Sequence, residues 1–433
     1  MKLPELFDRA EEEFVAHNWD LALQIYLVVV KQAPRFLRAR YRVADVLLNL
    51  GRVDEAKTVY RALAWHFVRT GQPLMGLVVC KMLIAIDRSA EDMLEVVAEM
   101  YSVQSDRVGD CVIPPPLPLP TGVDAAPPFE LEPPRLYEWA ARISAETEAI
   151  ENIPAMLPPI PLFSMLPEDA IGPVLRSLKL RRIPDGGAII TEGEEGDAFF
   201  MIADGRVTVS KNVDGKRRVL ARLCEGMVFG EMALVARGPR TATVSALGEA
   251  AVLALSRSEL AEHEGQHEAV TLALRKFTRG RLLSNLAATS PMFSCLSLQE
   301  RRELLRQFRS KMLHAGDIII EQGEPGRGLF VVLRGRFEVT QSDGESASKI
   351  ATLKAGDVFG EISLLNNAPT NATVTSLQRG EVLQLQPDDF RRALEPYPDS
   401  VAALRELSAE RLRAARIPMT TDVISLDENA VLV

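Results

Sequence analysis

The residues best suited to chemistry lie together in one stretch of sixteen residues, from Phe229 to Val244. It reads F-G-E-M-A-L-V-A-R-G-P-R-T-A-T-V and predicts a strand end, a glycine, a short helix and a return into a second strand. The first amides of a helix bind anions, and a guanidinium such as that of Arg240 holds phosphate through two parallel hydrogen bonds. The carboxylate of Glu231 can accept hydrogen bonds from sugar hydroxyls. The stretch therefore predicts a site for a phosphate that carries a ribose.

This stretch resembles the phosphate-binding cassette of cyclic-nucleotide-binding domains, F-G-E-[LIM]-[AS]-L-x4-P-R-x-A-[TS]-V, at every position of the pattern. The resemblance implies a close approach of backbone to ligand at Gly230, where a Cβ would obstruct it. It also implies that Glu231 binds the ribose 2′-hydroxyl and that Arg240 neutralises the cyclic phosphate. The remaining implied contacts are the backbone amides of Met232, Ala233 and Ala242 and the hydroxyl of Thr241.

The resemblance leaves the choice of nucleotide to Thr241. In the family, a hydroxyl at this position can reach the guanine amino group and admit cyclic GMP, but threonine also occurs in members that respond to cyclic AMP. We favour cAMP over cGMP as the ligand because it is the more prevalent one in the family. Phe229, Leu223 and Val209 are candidates for an apolar floor under the nucleotide, and core packing explains them equally well.

A second copy of the same pattern follows 130 residues later, at Phe359 to Val374. The same shift aligns glycines throughout both copies, for example Gly193 with Gly323. The second cassette keeps Gly360 and Glu361, but Thr370 stands where the arginine should be, followed by Asn371. A hydrogen bond to a charged group contributes about 1.5–3 kcal/mol. We therefore expect the second site to be weak or empty unless another cation, such as Arg327 or Lys354, replaces the arginine.

The elements around the cassettes predict a multidomain α and β protein. Short strands bounded by Asp-Gly turns are typical of small antiparallel barrels, and the resemblance implies two β jelly-roll barrels with flanking helices, at 161–287 and 288–416. In the first copy the predicted strands are Ala188–Thr191, Phe199–Asp204, Arg206–Lys211, Val219–Leu223 and Ala251–Leu255. Predicted helices follow the barrels, at Glu259 to about Leu286 and at Asp399–Arg416, and the first should close as a lid.

Residues 1–104 have helical periodicity and a 34-residue repeat. Ala10 pairs with Ala44, Asp20 with Asp54, Ala22 with Ala56 and Tyr26 with Tyr60. This period resembles tetratricopeptide repeats, for two units in register and a third out of register. The segment could bind a protein partner on a concave surface or serve only as a packing module.

Residues 105–160 are rich in proline and predict an extended linker with no core of its own, interrupted by one short helix from Arg135 to about Glu151. Residues 417–433 form a tail without periodicity.

Composition narrows the function further. The net charge of −9 gives no electrostatic case for nucleic acid. The charged start is unlike a signal peptide, no apolar run is long enough for a bilayer, and four scattered cysteines suggest a reducing compartment. His263 and His267 match H-E-x-x-H, but the motif contains a glycine and lacks a third ligand, so a zinc enzyme is disfavoured. We predict a non-enzymatic cytoplasmic sensor that binds no metal and no nucleic acid, and leave open whether it forms homo-oligomers. The rival is a nucleotide-independent protein-interaction scaffold.

Overall fold

The chain begins with six helices, each of which contacts the next along the chain. A computed structural model describes residues 1–109, 111, 117–127, 129, 131–133, 135–213, 216–231, 240, 242–264, 268–289, 293, 295–342, 346–398, 401–402 and 405. The six helices are α1 (Leu3–Val15), α2 (Trp19–Gln32), α3 (Leu37–Asn49), α4 (Val53–Arg69), α5 (Pro73–Ile86) and α6 (Asp92–Tyr101). Their facing surfaces form one continuous apolar core, so an N-terminal helical region is confirmed.

The 34-residue spacing of the sequence corresponds to the helix positions. Helices α1 and α3 start 34 residues apart, as do α2 and α4, whereas α5 starts 36 residues after α3. Both alanines and the tyrosine of each unit are fully buried: Ala10, Ala22 and Tyr26, and Ala44, Ala56 and Tyr60. Small residues let neighbouring helices approach closely at these points. The identification of these helices as tetratricopeptide repeats stays a prediction.

The segment 105–160 differs from the predicted extended linker without a core. Its helix α7 (Arg135–Ala145) packs against α2, α3 and α4, and Arg40 of α3 donates hydrogen bonds to the carbonyls of Ile143 and Ser144 at 2.6 and 3.0 Å. Leu136, Ala140 and Ile143 are spaced for one helix face and are buried. That apolar stripe must be covered, and the helical region covers it. The predicted boundaries of the segment stay a prediction.

The first β unit follows helix α8 (Glu168–Ser177). Its six strands are β1 (Lys179–Ile183), β2 (Ala188–Ile190), β3 (Ala198–Val213), β4 (Lys216–Cys224), β5 (Val228–Phe229) and β6 (Thr243–Ser256). They form an antiparallel sheet in the order β1-β6-β3-β4, with β2 on β6 and β5 on β3. The two strands predicted at 199–204 and 206–211 are one strand, β3, whose register shifts around Gly205 (φ 81°). The expected helix at 259–286 is observed as α9 (Arg257–Glu264) and α10 (Glu268–Thr289).

The second β unit repeats the first at the same 130-residue shift. It contains α11 (Leu298–Gln307), β7 (Arg309–Leu313), β8 (Ile318–Ile320), β9 (Leu329–Arg334), β10 (Phe337–Ser342), β11 (Ala347–Leu353), β12 (Val358–Phe359), α12 (Glu361–Asn366), β13 (Thr373–Ser376), β14 (Gly380–Leu385) and α13 (Pro387–Leu394). Its strands form two antiparallel sheets, β11-β10-β13-β8 and β12-β9-β14-β7. The predicted architecture of a helical region and two β units with flanking helices is confirmed. Most of the predicted helix at 399–416 and all of the tail lie outside the described residues.

Candidate cyclic-nucleotide site

The backbone of Arg240 is fixed by a loop that follows β2. Its amide donates to the carbonyl of Glu194 at 2.8 Å, and its carbonyl accepts from the amide of Gly193, also at 2.8 Å. The left-handed φ of 84° at Gly193 makes this tight turn possible. The Cα position of the arginine is therefore fixed, and its side chain extends to the first residue of β3, Ala198.

Two backbone carbonyls hold the Arg240 guanidinium. Nη2 donates to Ala198 at 2.7 Å, and Nη1 donates to Gly230 at 3.2 Å. A Cβ on Gly196 would lie 1.8 Å from Nε of the same arginine, so only glycine leaves room for the side chain in this position. Gly230 itself has φ 75°, and a Cβ there would lie 3.0 Å from Nη1. Gly196, Gly230 and the two carbonyls therefore pack closely around the guanidinium and fix its position.

The guanidinium lies at the wall of a cleft of about 400 Å³. This volume is within the ~300–1,000 Å³ typical of small-molecule sites. Burial lowers the pKa of Arg240 below its ordinary value, while the carboxylates of Asp197, Glu231 and Glu194 oppose that effect. Neutral carbonyls accept its hydrogen bonds without supplying a countercharge. The arrangement can therefore bind an anion in the cleft.

The other predicted residues of the first cassette fall into two groups. Glu231 is 6% exposed, and its Oε1 lies 3.7 Å from Nε of Arg281 on α10. Ala242 is half-buried and directly precedes β6. Met232, Ala233 and Thr241 lie outside the described residues, as does the predicted short helix beyond Glu231. The structure thus brings Gly230, Glu231 and Arg240 together.

Sequence reasoning missed Gly196, the Ala198 carbonyl and Arg281. Gly196 lies in the Glu-Gly-Asp turn, but its spacing from Arg240 by 44 residues carries no local signal. Arg281 also donates to the carbonyl of Val228 at 3.1 Å, so it connects α10 to both sides of the Phe229-Gly-Glu231 turn. Its place in a helix of mixed polarity gives no indication of this contact.

The candidate floor residues are all part of the barrel core. Phe229, Leu223 and Val209 are 6%, 6% and 5% exposed. The Phe229 ring stacks on Phe200 with centroids 5.2 Å apart. In the second copy Phe330 and Phe359 stack in the same way at 5.0 Å. The stack is therefore common to both copies and gives rigidity to the strand that ends at each cassette.

The second cassette has the same backbone frame with a different side chain. Thr370 exchanges backbone hydrogen bonds with Gly323 and Glu324 at 2.8 and 2.9 Å, as Arg240 does with Gly193 and Glu194. Its hydroxyl donates to the carbonyls of Glu321 and Glu324. Gly360 has φ 88°, Glu361 is 8% exposed, and Asn371 is exposed. Position 370 therefore provides no positive charge, and its hydroxyl proton is used within the loop.

The histidine motif does not form a metal centre in the described part of the chain. His263 lies on α9 and shares a 2.8 Å hydrogen bond with the hydroxyl of Ser177, while His267 is outside the described residues. Among the residues that the structure describes, no cluster of three or more histidine, cysteine or acidic side chains could bind a metal. Over the same residues, no helix has the length and apolar character needed to span a bilayer.

Comparison with known proteins agrees with this geometry. The family model described as "Cyclic nucleotide-binding domain" matches residues 180–263 and 310–397. The chain is 35% identical over 240 residues to a cAMP-dependent protein kinase regulatory subunit of Yarrowia lipolytica, which covers 55% of this chain and 60% of that protein. It is 30% identical over 285 residues to the regulatory subunit of Neurospora crassa, which covers 63% of this chain and 71% of the relative. The chain belongs to the family of cyclic-nucleotide-binding regulatory subunits.

The two matched stretches coincide with the two β units, so paired cyclic-nucleotide-binding domains are confirmed. The named relatives are regulatory rather than catalytic subunits, in agreement with the predicted non-enzymatic role. Among solved structures, the regulatory domain of Toxoplasma gondii PKA with cAMP is 27% identical, with a TM-score of 0.28, over 57% of this chain and 92% of that one. This chain spans 60% of the length of the Yarrowia relative.

Proposed function

We propose that this protein is a sensor of a cyclic nucleotide, with cAMP favoured over cGMP, which binds in the first β unit. The observation that carries the proposal is the position of the Arg240 guanidinium at a cleft of nucleotide size. Its two terminal nitrogens donate hydrogen bonds to backbone carbonyls, which are neutral. A cyclic phosphate carries one negative charge and would pair directly with this guanidinium. Thr370 lacks that charge, so the second β unit is proposed to bind weakly or not at all.

We also propose that the bound state is passed to a protein partner in the cytoplasm. The names of the relatives make the catalytic subunit of a protein kinase the first candidate. The N-terminal helices would take part because they pack directly on the first β unit: α5 contacts β1, β3 and β6. A ligand can change this arrangement only by as much as its affinity differs between the two states, typically ~1–3 kcal/mol.

The test is calorimetric titration of cAMP and cGMP, separately, into the full chain. We expect one site per chain for the wild type. Arg240→Gln removes a charged hydrogen-bond donor worth about 1.5–3 kcal/mol, so affinity should fall roughly ten- to a hundredfold. Thr370→Ala changes the same position of the second copy and should leave the titration unchanged. Thr241→Ala should reduce affinity for cGMP more than for cAMP.

Two results would reject the proposal. If neither nucleotide binds the wild type below millimolar concentration, the protein is better described as a nucleotide-independent scaffold. If two equally tight sites are found and Arg240→Gln removes neither, the guanidinium is not the phosphate ligand. A kinase partner is tested separately, by asking whether a purified catalytic subunit copurifies with the chain and whether nucleotide changes that association.

A further inference from the structure

The two β units have opposite charges at one equivalent pair of turns. In the first unit these two sites are Asp204-Gly205, where the register of β3 shifts, and Gly248-Glu249 within β6. We call them, with their counterparts in the second unit, the turn pairs. In the second unit the turn pair consists of Arg334-Gly335, at the end of β9, and Gln378-Arg379, before β14. Each residue is displaced by 130 positions from its counterpart, and the strands pair equivalently, Asp204 with Ala251 and Arg334 with Glu381. The turn pairs therefore occupy the same place in the two units.

In the first unit the acidic turn pair is covered by the N-terminal helices. Arg42 of α3 donates to Glu249, and Arg38, one helical turn earlier, lies 4.0 Å from the same carboxylate. Both arginines and Asp204 line the small cavity left at this contact. The surface thus receives a helix whose cations are spaced four residues apart.

In the second unit the corresponding surface is basic, and α10 is the described helix that borders it. Arg334, Arg379 and Arg275 of α10 line an open cleft of about 410 Å³. Arg334 lies 3.5 Å from Glu381, whereas Arg275 and Arg379 are exposed and form no ion pair with any residue that the structure describes. Leu377, beside them in the chain, is 45% exposed. This concentration of cations contrasts with the net charge of −9 of the whole chain.

We infer that the turn pair of the second unit is a docking surface for an acidic helix of a partner protein, with carboxylates spaced four residues apart. The first unit provides the precedent within the same chain, where a helix of opposite charge covers the equivalent turns. Charge complementarity defines the partner: arginine presents paired donors that match carboxylates. A cleft of this size accommodates side chains of one helix face. The inference is independent of nucleotide binding in the first unit.

The test uses the full chain and a fluorescein-labelled, alanine-based helical peptide with glutamates at i and i+4. Fluorescence anisotropy at about 50 mM salt measures its binding, because surface charge attraction is screened at higher salt. Matched peptides carry glutamine or lysine in place of each glutamate. The wild type should bind the glutamate peptide at least about tenfold more tightly than the other two.

The decisive variant is Arg334→Asp/Arg379→Glu, which introduces the residues of the first unit. The affinity of this variant for the glutamate peptide should fall by about tenfold or more, and its affinity for the lysine peptide should rise. A misfolded protein would not show this rise. The control, Arg306→Asp/Arg391→Glu, reverses two exposed arginines on α11 and α13 and should behave as the wild type. The inference is overturned if the wild type does not prefer the glutamate peptide, or if both double variants lose it equally. It is also overturned if sedimentation shows that the turn pair instead joins two copies of this chain.

Discussion

Replacing Arg42 by alanine should weaken the contact between the N-terminal helices and the first β unit and lower the free energy of unfolding. The Arg42 side chain is 4% exposed and donates to Glu11 at 2.7 and 2.9 Å and to Asp45 at 3.3 Å, as well as to Glu249. Its guanidinium also lies 4.8 Å from the centre of the Phe14 ring. One side chain therefore connects helices α1 and α3 to strand β6.

The magnitude follows from what the three carboxylates would keep. Removing one member of a buried ion pair costs about 3–5 kcal/mol, because a buried charge is left uncompensated. Here Asp45 retains Tyr60 at 2.6 Å and Arg182 at 2.9 Å, and Glu11 retains Tyr26 at 2.7 Å. Glu249 retains Arg182 at 3.1 Å. Because each of the three carboxylates keeps a donor, we expect the lower end of this range, about 3 kcal/mol.

The assay is urea unfolding followed by circular dichroism, which reports the helices, for the wild type and Arg42→Ala. Arg52→Ala provides the matched control, because Arg52, which directly precedes α4, forms an ion pair with Glu55 of that helix and is 36% exposed. Exposed pairs contribute about 0–1 kcal/mol. If Arg42→Ala costs less than about 1 kcal/mol, or no more than the control, the network does not fasten the helices.

Two further predictions concern single positions. Gly196→Ala should weaken nucleotide binding by displacing Arg240, since the new Cβ would lie 1.8 Å from Nε of that arginine. The control Gly280→Ala has open space around it in α10, so it should leave binding unchanged and add about 0.5–1 kcal/mol to the free energy of unfolding. Equal affinities of the two variants in calorimetry would contradict this prediction. Burial raises the pKa of Glu249, but Arg42, Arg182 and Arg38 lower it more, so its pKa is below the ordinary 4.5. Its ionised form therefore stabilises the fold above that pH, and the stability difference between wild type and Glu249→Gln should shrink as pH falls below 4.5; a difference that is constant or grows between pH 7 and 3.5 in urea titrations would contradict the assignment.

The cassettes and the internal duplication could be read from sequence because both depend on fixed local spacing. Turn glycines and the Phe-Gly-Glu triplet keep their distances in each copy, so a shift of 130 aligned nearly every strand. The helix in the proline-rich segment was also predicted, but not its packing, because composition describes a segment and not the surface it meets. The sequence predicts two strands separated at Gly205, because a glycine at this spacing suggests a turn. The structure has a single strand there, β3.

The charged network could not be predicted by local patterns. Arg42 and Glu249 are separated by 207 residues, and an arginine on an amphipathic helix normally indicates a solvated face. One signal was nevertheless present in the repeat. Glu11 and Asp45 are 34 residues apart, and each accepts a hydrogen bond from the repeated tyrosine of its own unit, Tyr26 or Tyr60. A repeated acidic position next to a repeated buried tyrosine therefore indicates a buried polar contact.

Strand β1 gives the candidate site and the network a direct physical connection. Successive side chains of a strand point to opposite faces. Arg181 lies 5.7 Å from the centre of the Phe200 ring and lines the cleft of Arg240. Its neighbour Arg182 donates to Asp45 at 2.9 Å and to Glu249 at 3.1 Å. An anion that binds beside Arg181 in the cleft would act on the same strand that contacts the helices through Arg182. A displacement of β1 would therefore change the cleft and the ion pairs of Arg182 together. The second unit has Lys311 and Met312 at these positions, and Met312 cannot form the ion pairs of Arg182. This substitution leaves the first unit as the one in which the cleft of Arg240 and the N-terminal helices share a strand.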